Sequence, residues 1–323
     1  DRAPNWPPPQ IELGLMELQA GRDNRAFRAL QRVAELDPFD KRVANSLFLL
    51  EDLVTNYERV DTEYFVIRYA PGVDEVLVDL AVSEVDAIHD RVTERFRFEP
   101  RGRTVIELMP NHQRFAVRIT GMPGIHTVAA CTGPVIAMEV PREGSPKQHF
   151  GLYDWATVLQ HEYTHTVTLQ QTGYRIPHWL TEAAAVDMEL KPRDYGRWQM
   201  LREAFDREAL FTLDEIKWGF VRPRKPTDRA LAYTQSHWMY QYMERTFGRD
   251  AIVDLLARFK DGLREPEAMQ AALGVDRATF FDGFLEWAEA DLDAAGLRPE
   301  PAFPEIQQQI VETDPGLEAE LVM

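Results

Sequence analysis

The chain has 323 residues, 45% of them hydrophobic, enough to bury a sizeable core in roughly two domains. A formal net charge of −17 with no stripe of Lys and Arg argues against a nucleic-acid partner. One cysteine, Cys131, excludes an internal disulfide framework and Cys-rich zinc ribbons, so a metal here would need His and carboxylate ligands.

No apolar run approaches the ~20 residues that span a bilayer, so no membrane insertion is expected. The first residues lack the basic start and apolar stretch of a signal peptide, and the chain does not begin with Met. A soluble bacterial protein exported after loss of an upstream signal is one expectation, and the compartment stays open.

After a proline-rich lead, residues 11 to 53 read as helix, tight turn at Gly21, helix, an Asp37-Pro38 break and a third helix. Small and apolar residues recur at helical spacing at Leu15, Leu18, Ala26, Ala29, Leu30 and Val33, and Leu13 and Leu47 lie 34 positions apart. The segment is similar to a tetratricopeptide repeat. About three such repeats are usually needed to stand alone, so the piece is expected to pack on the next domain or to continue an upstream array. An ordinary helical hairpin fits the pattern equally.

From Thr62 strands and helices alternate. "EYFVIRYA" reads as a strand, residues 73 to 97 as a long amphipathic helix, "RTVIELMP" as a strand and "NHQRFAVRIT" as a short helix. "HTVAACTG" and "PVIAMEVP" read as two strands joined near Gly133 and Pro134, the second alternating as an edge strand would. Beyond Gly151 helical patterns take over, at residues 153–171, 177–190, 194–208, 229–247, 249–262 and 276–294. Gly173 suits a helix C-terminus and Pro177 a helix start.

Residues 161 to 165 spell H-E-Y-T-H. On a helix, His161 and His165 project from one face about a turn apart, so both imidazoles can reach one ion. Zinc then wants a third protein ligand and an open position for water, beside which Glu162 would sit. Two core histidines and a surface acid would write the same string, but the neighbours Val158, Leu159, Val167 and Leu169 give the helix a buried side, where an unpaired Glu162 would be costly. Seventeen residues after His165, Glu182 lies on the next predicted helix, and a turn between antiparallel helices would return it to the histidines.

With "HEYTH" and "PHWLTEAAAVDMEL" both in view, the chain resembles the gluzincin metallopeptidases, specifically the peptidase MA-like group, over roughly residues 60 to 295. The resemblance implies an α+β, zincin-like fold: a small mixed-sheet α/β lobe at 59–150 and a mostly helical lobe at 151–296. A short tetratricopeptide-like segment at 1–58 would precede them and an acidic, proline-containing tail would follow at 297–323. It implies one Zn²⁺ held by His161, His165 and Glu182, with Glu162 as general base on a peptide or protein substrate. Tyr233, on what looks like the family's downstream helix, would donate to the oxyanion.

The family usually has Gly after the ligand glutamate, where Ala183 stands, and some members have Asp where Val186 stands. Asp187, one place later, is the candidate for orienting a histidine. "AMEV" is similar to an aminopeptidase element whose glutamate, here Glu139, holds the substrate amine, but its flanking Gly and Asn are missing. His89, His112, His126, His149 and His178 lack ligand spacing and read as structural, and Cys131 as a small buried hydrophobe. The competing reading is a protein-binding adaptor whose partner docks on the tetratricopeptide-like helices and whose metal site is vestigial or structural.

Overall fold

The computed structural model describes residues 6–72, 75–297 and 303–313. Three helices open the chain, α1 (Pro7–Gln19), α2 (Asp23–Leu36) and α3 (Lys41–Thr55). The prolines read as a lead form the first turn of α1, where a missing N–H costs no helical bond. Gly21 turns the chain at φ +69, and any Cβ there would come within 2.9 Å of Val135 Cγ2, so the turn sits directly on the strand that carries Val135.

The sheet has five strands: β1 (Glu58–Asp61), β2 (Phe65–Tyr69), β3 (Thr104–Met109), β4 (Ala129–Cys131) and β5 (Val135–Glu139). Their order is β1-β2-β3-β5-β4, antiparallel at both ends and parallel in the middle. The helices α4 (Glu75–Phe96) and α5 (His112–Thr120) make the crossovers, and the first two residues expected of α4, 73 and 74, lie outside the described residues.

Alternation sorts the strands between two faces. Phe65, Ile67, Ile106, Leu108, Ile136 and Met138 face α4 and the helix that carries His161 and His165 in the main core. Met109 and Ala137 point the other way, against Leu49 and Leu53 of α3 and Phe115 and Val117 of α5.

Polar contacts join the opening helices to this second face. Three carbonyls at the C-terminus of α5 are capped from them: Gln19 donates to Ile119 O (3.2 Å), Arg42 to Thr120 O (3.3 Å) and Asn45 to Gly121 O (3.0 Å). Beneath them Glu107, wholly buried, accepts from Arg118 and from Arg68 (3.0 Å), and Arg68 also holds Asp23 of α2 at 2.8 Å.

Two expectations need correction. β5 is not an edge strand: it lies between β3 and β4 and all five of its residues are buried, so the edge on that side of the sheet is the three-residue β4, with β1 at the other. Its continuous apolar run is what a strand covered on both faces shows. The segment read as a tail carries a helix, α14 (Phe303–Thr313), while 298–302 and 314–323 lie outside the described residues.

The helical part comprises α6 (Trp155–Gln171), α7 (His178–Met188), α8 (Tyr195–Asp206), α9 (Ile216–Val221), α10 (Asp228–Phe247), α11 (Arg249–Lys260), α12 (Glu265–Leu273) and α13 (Arg277–Ala294). The sequence reading did not anticipate β1, α9 or α12. Among the described residues no helix is long and apolar enough to cross a membrane.

Candidate metal centre

Helix α6 carries both histidines. Asp154 caps its start, accepting from Thr157 N at 3.2 Å and Thr157 Oγ1 at 2.6 Å, and these bonds with Lys191 hold its carboxyl down to about 2. Leu159, Tyr163 and Val167, four apart, bury one side in the main core, which turns His161 and Glu162 to a cleft that they line, with His165 buried one turn further along. Buried Thr164, Thr168 and Thr172 satisfy their hydroxyls on carbonyls one turn back, at 2.8, 2.9 and 2.8 Å. At the far end Gly173 (φ +59) and Tyr174 (φ 63) both take left-handed conformations and reverse the chain into α7.

Contacts between α6 and α7 pair Thr168 with Thr181, His165 with Thr181, Gln160 with Met188 and His161 with Glu189. The near-constant sum of these numbers is that of an antiparallel pair, and it returns Glu182 to the histidines. Glu182 Oε2 lies 3.6 Å from His161 Nε2 and 3.5 Å from His165 Nε2, and the two Nε2 atoms are 3.3 Å apart. Four ligands around a tetrahedral ion with bonds of about 2.0–2.1 Å stand about 3.3–3.4 Å from one another. The triangle therefore matches the spacing of three zinc ligands.

A second observation points to a cation. Glu182 Oε2 is buried and has no hydrogen-bond partner, a costly state for a carboxylate oxygen. Burial alone would raise the Glu182 carboxyl, but the close imidazoles of His165 and His161 and the hydrogen bond from His178 hold it well below the usual carboxylate range. The donor set, two imidazoles and one carboxylate, suits zinc.

The histidines are oriented from behind. His161 Nδ1 donates to Glu189 Oε1 at 2.9 Å, and His165 Nδ1 donates to Thr181 Oγ1 at 2.9 Å. Thr168 gives its proton to Thr164 O, so it accepts from Thr181 (3.0 Å), which in turn must accept from His165. This one-way chain fixes the tautomer that leaves the Nε2 lone pair free. Asp187 does not serve the ligands: it pairs with Arg95 (3.0 Å) and with His237 (3.4 Å), which lines the cleft.

Glu162 projects into the same cleft. Burial pushes its carboxyl up, while His161 and His165 pull it back, so it is more basic than an exposed glutamate. Tyr233 of α10 lines the cleft too, and burial together with the Glu182 and Glu162 carboxylates raises its phenol far enough to keep its proton. His178, read as structural, donates to Glu182 Oε1 at 3.1 Å. Its place four residues before Glu182 on one helix was a signal the sequence offered.

Glu139 faces away from the cleft: it is 1% exposed and accepts from His112 Nδ1 (2.9 Å) and Phe150 N (3.0 Å). Cys131 contacts Thr166 Oγ1 at 3.3 Å and burial pushes its thiol up to about 12, so it is not a ready nucleophile.

The cleft encloses about 470 Å³ between β4 with the residues before it, α6, the α7–α8 connection and α10. Glu139 N bonds Val128 O and Thr132 N bonds Val135 O, so the even-numbered residues of this stretch pair with β5. Ala129 and Cys131 turn their backbone groups outward, and Ala129 lines the cleft.

Residues 151–290 match the family model of the Peptidase MA superfamily. The match supports a peptidase MA-like domain over this segment. It starts just before the cap of α6, ends inside α13, and contains His161, Glu162, His165, Glu182, Glu189 and Tyr233. A comparison with curated proteins returned no match.

Proposed function

We propose that the peptidase MA-like domain hydrolyses peptide bonds at a zinc centre, with His161, His165 and Glu182 as ligands, Glu162 as general base and Tyr233 as oxyanion donor. The observation that carries this reading is the 3.3–3.6 Å triangle of ligand atoms, with an unpartnered carboxylate oxygen at one corner and Glu162 beside it. Zinc in that position supplies Lewis acidity towards a carbonyl and makes a nearby water easier to deprotonate.

The chain's own residues do the rest. An extended substrate adds to the free edge of β4 through the outward backbone groups at Ala129, which holds its scissile carbonyl over the cleft floor. Glu162, made more basic by burial, takes the proton of the attacking water and returns it to the leaving amine. Tyr233 keeps its proton and donates it as a hydrogen bond to the oxygen that gains negative charge. Glu189 and Thr181 hold the imidazoles still throughout.

Glu162→Gln removes the base and leaves the ligand triangle intact. Cleavage of an unstructured protein should fall by roughly 10²–10⁴-fold while the zinc content stays at the wild-type level. Wild-type cleavage by this variant would overturn the assignment of Glu162.

A further inference from the structure

Arginines of the helical part usually face carboxylates: Arg202 meets Asp206, Arg258 meets Asp254 and Arg277 meets Asp214. Residues 217–229 break this pattern. The stretch "KWGFVRPRKPTDR" holds five cations, Lys217, Arg222, Arg224, Lys225 and Arg229, against one acid, in a chain of net charge −17. All five are exposed, and none forms an ion pair with a described residue. The single acid, Asp228, is engaged locally, its Oδ2 accepting the backbone N–H groups of Arg224 (2.7 Å) and Lys225 (2.9 Å).

This arrangement costs stability through mutual repulsion and returns no ion pair within the described residues. It is also held in place. Asp228 ties down the loop between α9 and α10, and Pro223 and Pro226 restrict its backbone, so the chain that carries the cations has less freedom to lose on binding.

Apolar surface lies among the cations. Trp218 is 43% and Val221 60% exposed, and Lys217 Nζ sits 5.2 Å from the Trp218 ring centroid. Beside them a cavity of about 280 Å³ has Leu210, Phe211 and Trp218 among its lining and Arg222, Arg224 and Lys225 at its rim. Glu208 and Glu215 also reach it, and Glu215 is turned to Thr212 Oγ1 at 2.8 Å.

The patch adjoins the candidate centre. On the inner side of α9 the Phe220 ring lies 4.7 Å from His178 and 4.9 Å from Tyr233, and Arg229 is followed by Ala230, which lines the catalytic cleft.

We propose that α9 and the α9–α10 loop form a docking surface for an acidic polypeptide segment that carries an apolar side chain. Arg222, Arg224, Lys225 and Arg229 meet its carboxylates, and the floor at Trp218 and Phe211 takes the apolar group. An anionic membrane fits less well, because the exposed apolar contribution is confined to Trp218 and Val221. The surface binds whether or not the cleft cleaves.

The test is fluorescence anisotropy of a labelled peptide of Glu residues interspersed with Phe, in the Glu162→Gln background so that cleavage does not deplete the probe. Binding should weaken on raising salt and on replacing every Glu of the peptide by Gln. The exposed triple change Arg222→Glu, Arg224→Glu, Lys225→Glu should weaken it about tenfold or more, and Trp218→Ala by several-fold, with circular dichroism unchanged in both. No binding of the acidic peptide at low salt, or equal binding by a folded triple variant, overturns the proposal. So does binding to phosphatidylserine vesicles, lost in the triple variant, where the peptide does not bind.

Discussion

Glu189→Ala removes the acceptor of the His161 Nδ1–H, a 2.9 Å charge-assisted hydrogen bond between side chains only 14% and 21% exposed. Losing such a bond costs about 1.5–3 kcal/mol, because the imidazole N–H is left without a partner in a site that little water reaches. Since about 1.4 kcal/mol is a factor of ten, zinc affinity should fall about 10- to 100-fold, the range seen when the group behind a metal-bound histidine is removed. Glu189→Gln keeps an acceptor oxygen and should recover most of the loss. Asp187→Asn is the control: its partners are Arg95 and His237, so it should lower the melting temperature and leave zinc affinity within about threefold. The assay is competition for zinc against a chromophoric chelator at fixed pH. A Glu189→Ala variant within twofold of wild type, or an Asp187→Asn variant that loses more zinc affinity than it, would refute the reasoning.

Other perturbations test separate parts of the site and fold. Tyr233→Phe should lower kcat by roughly 10²–10³-fold, about 3–4 kcal/mol, with KM and zinc content unchanged; an unaltered kcat would reduce Tyr233 to packing against Phe220. In the metal-free chain burial disfavours the His161 cation, but the nearby Glu182 carboxylate and the hydrogen bond to Glu189 outweigh it and push the imidazole up to about 10. Its charge therefore contributes stability below the unfolded value near 6.5, and that contribution is lost as pH rises through about 10. Zinc must displace this proton, so zinc affinity should rise about tenfold per pH unit from neutrality towards that value, and a flat profile by chelator competition would contradict it. Glu107→Gln leaves buried Arg118 without a carboxylate and Arg68 with Asp23 alone, and should cost about 3–5 kcal/mol, seen as a melting-temperature fall of roughly 10 °C or more; an unshifted melt would count against that network.

Local pattern carried the helix of His161 and His165. The spacing of His161 and His165, the apolar side of α6 and the punctuation at Gly173 and Pro177 are all properties of neighbouring residues, and the structure brings those histidines and Glu182 together. What depends on distant contacts was less legible. Asp187 stood nearest the expected position for an orienting acid, yet Arg95 of α4 draws it away, and Glu189, at the end of α7, reaches His161 instead. Neither direction follows from α7 alone. The sheet order misled for a similar reason: an apolar alternating run in β5 is compatible with an edge, and only the pairing of three-residue β4 outside it moves the edge. Helix α9 has six residues with Gly219 inside, too short for periodicity to register, whereas α12 did carry signals in Pro266 at its start and Gly274 at its end. That the opening helices would pack on the next domain was one of two expectations, but which face they cover was not legible, because Gln19, Arg42 and Asn45 meet carbonyls some 75 to 100 residues away.

The most direct test of the central claim is zinc content by elemental analysis after dialysis, with cleavage of an unstructured protein measured on the same samples of wild type and His161→Ala. The account predicts about one zinc per chain and cleavage in the wild type, both lost together in the variant. A wild type that holds no zinc, or that cleaves as fast after chelation as before it, would contradict the account.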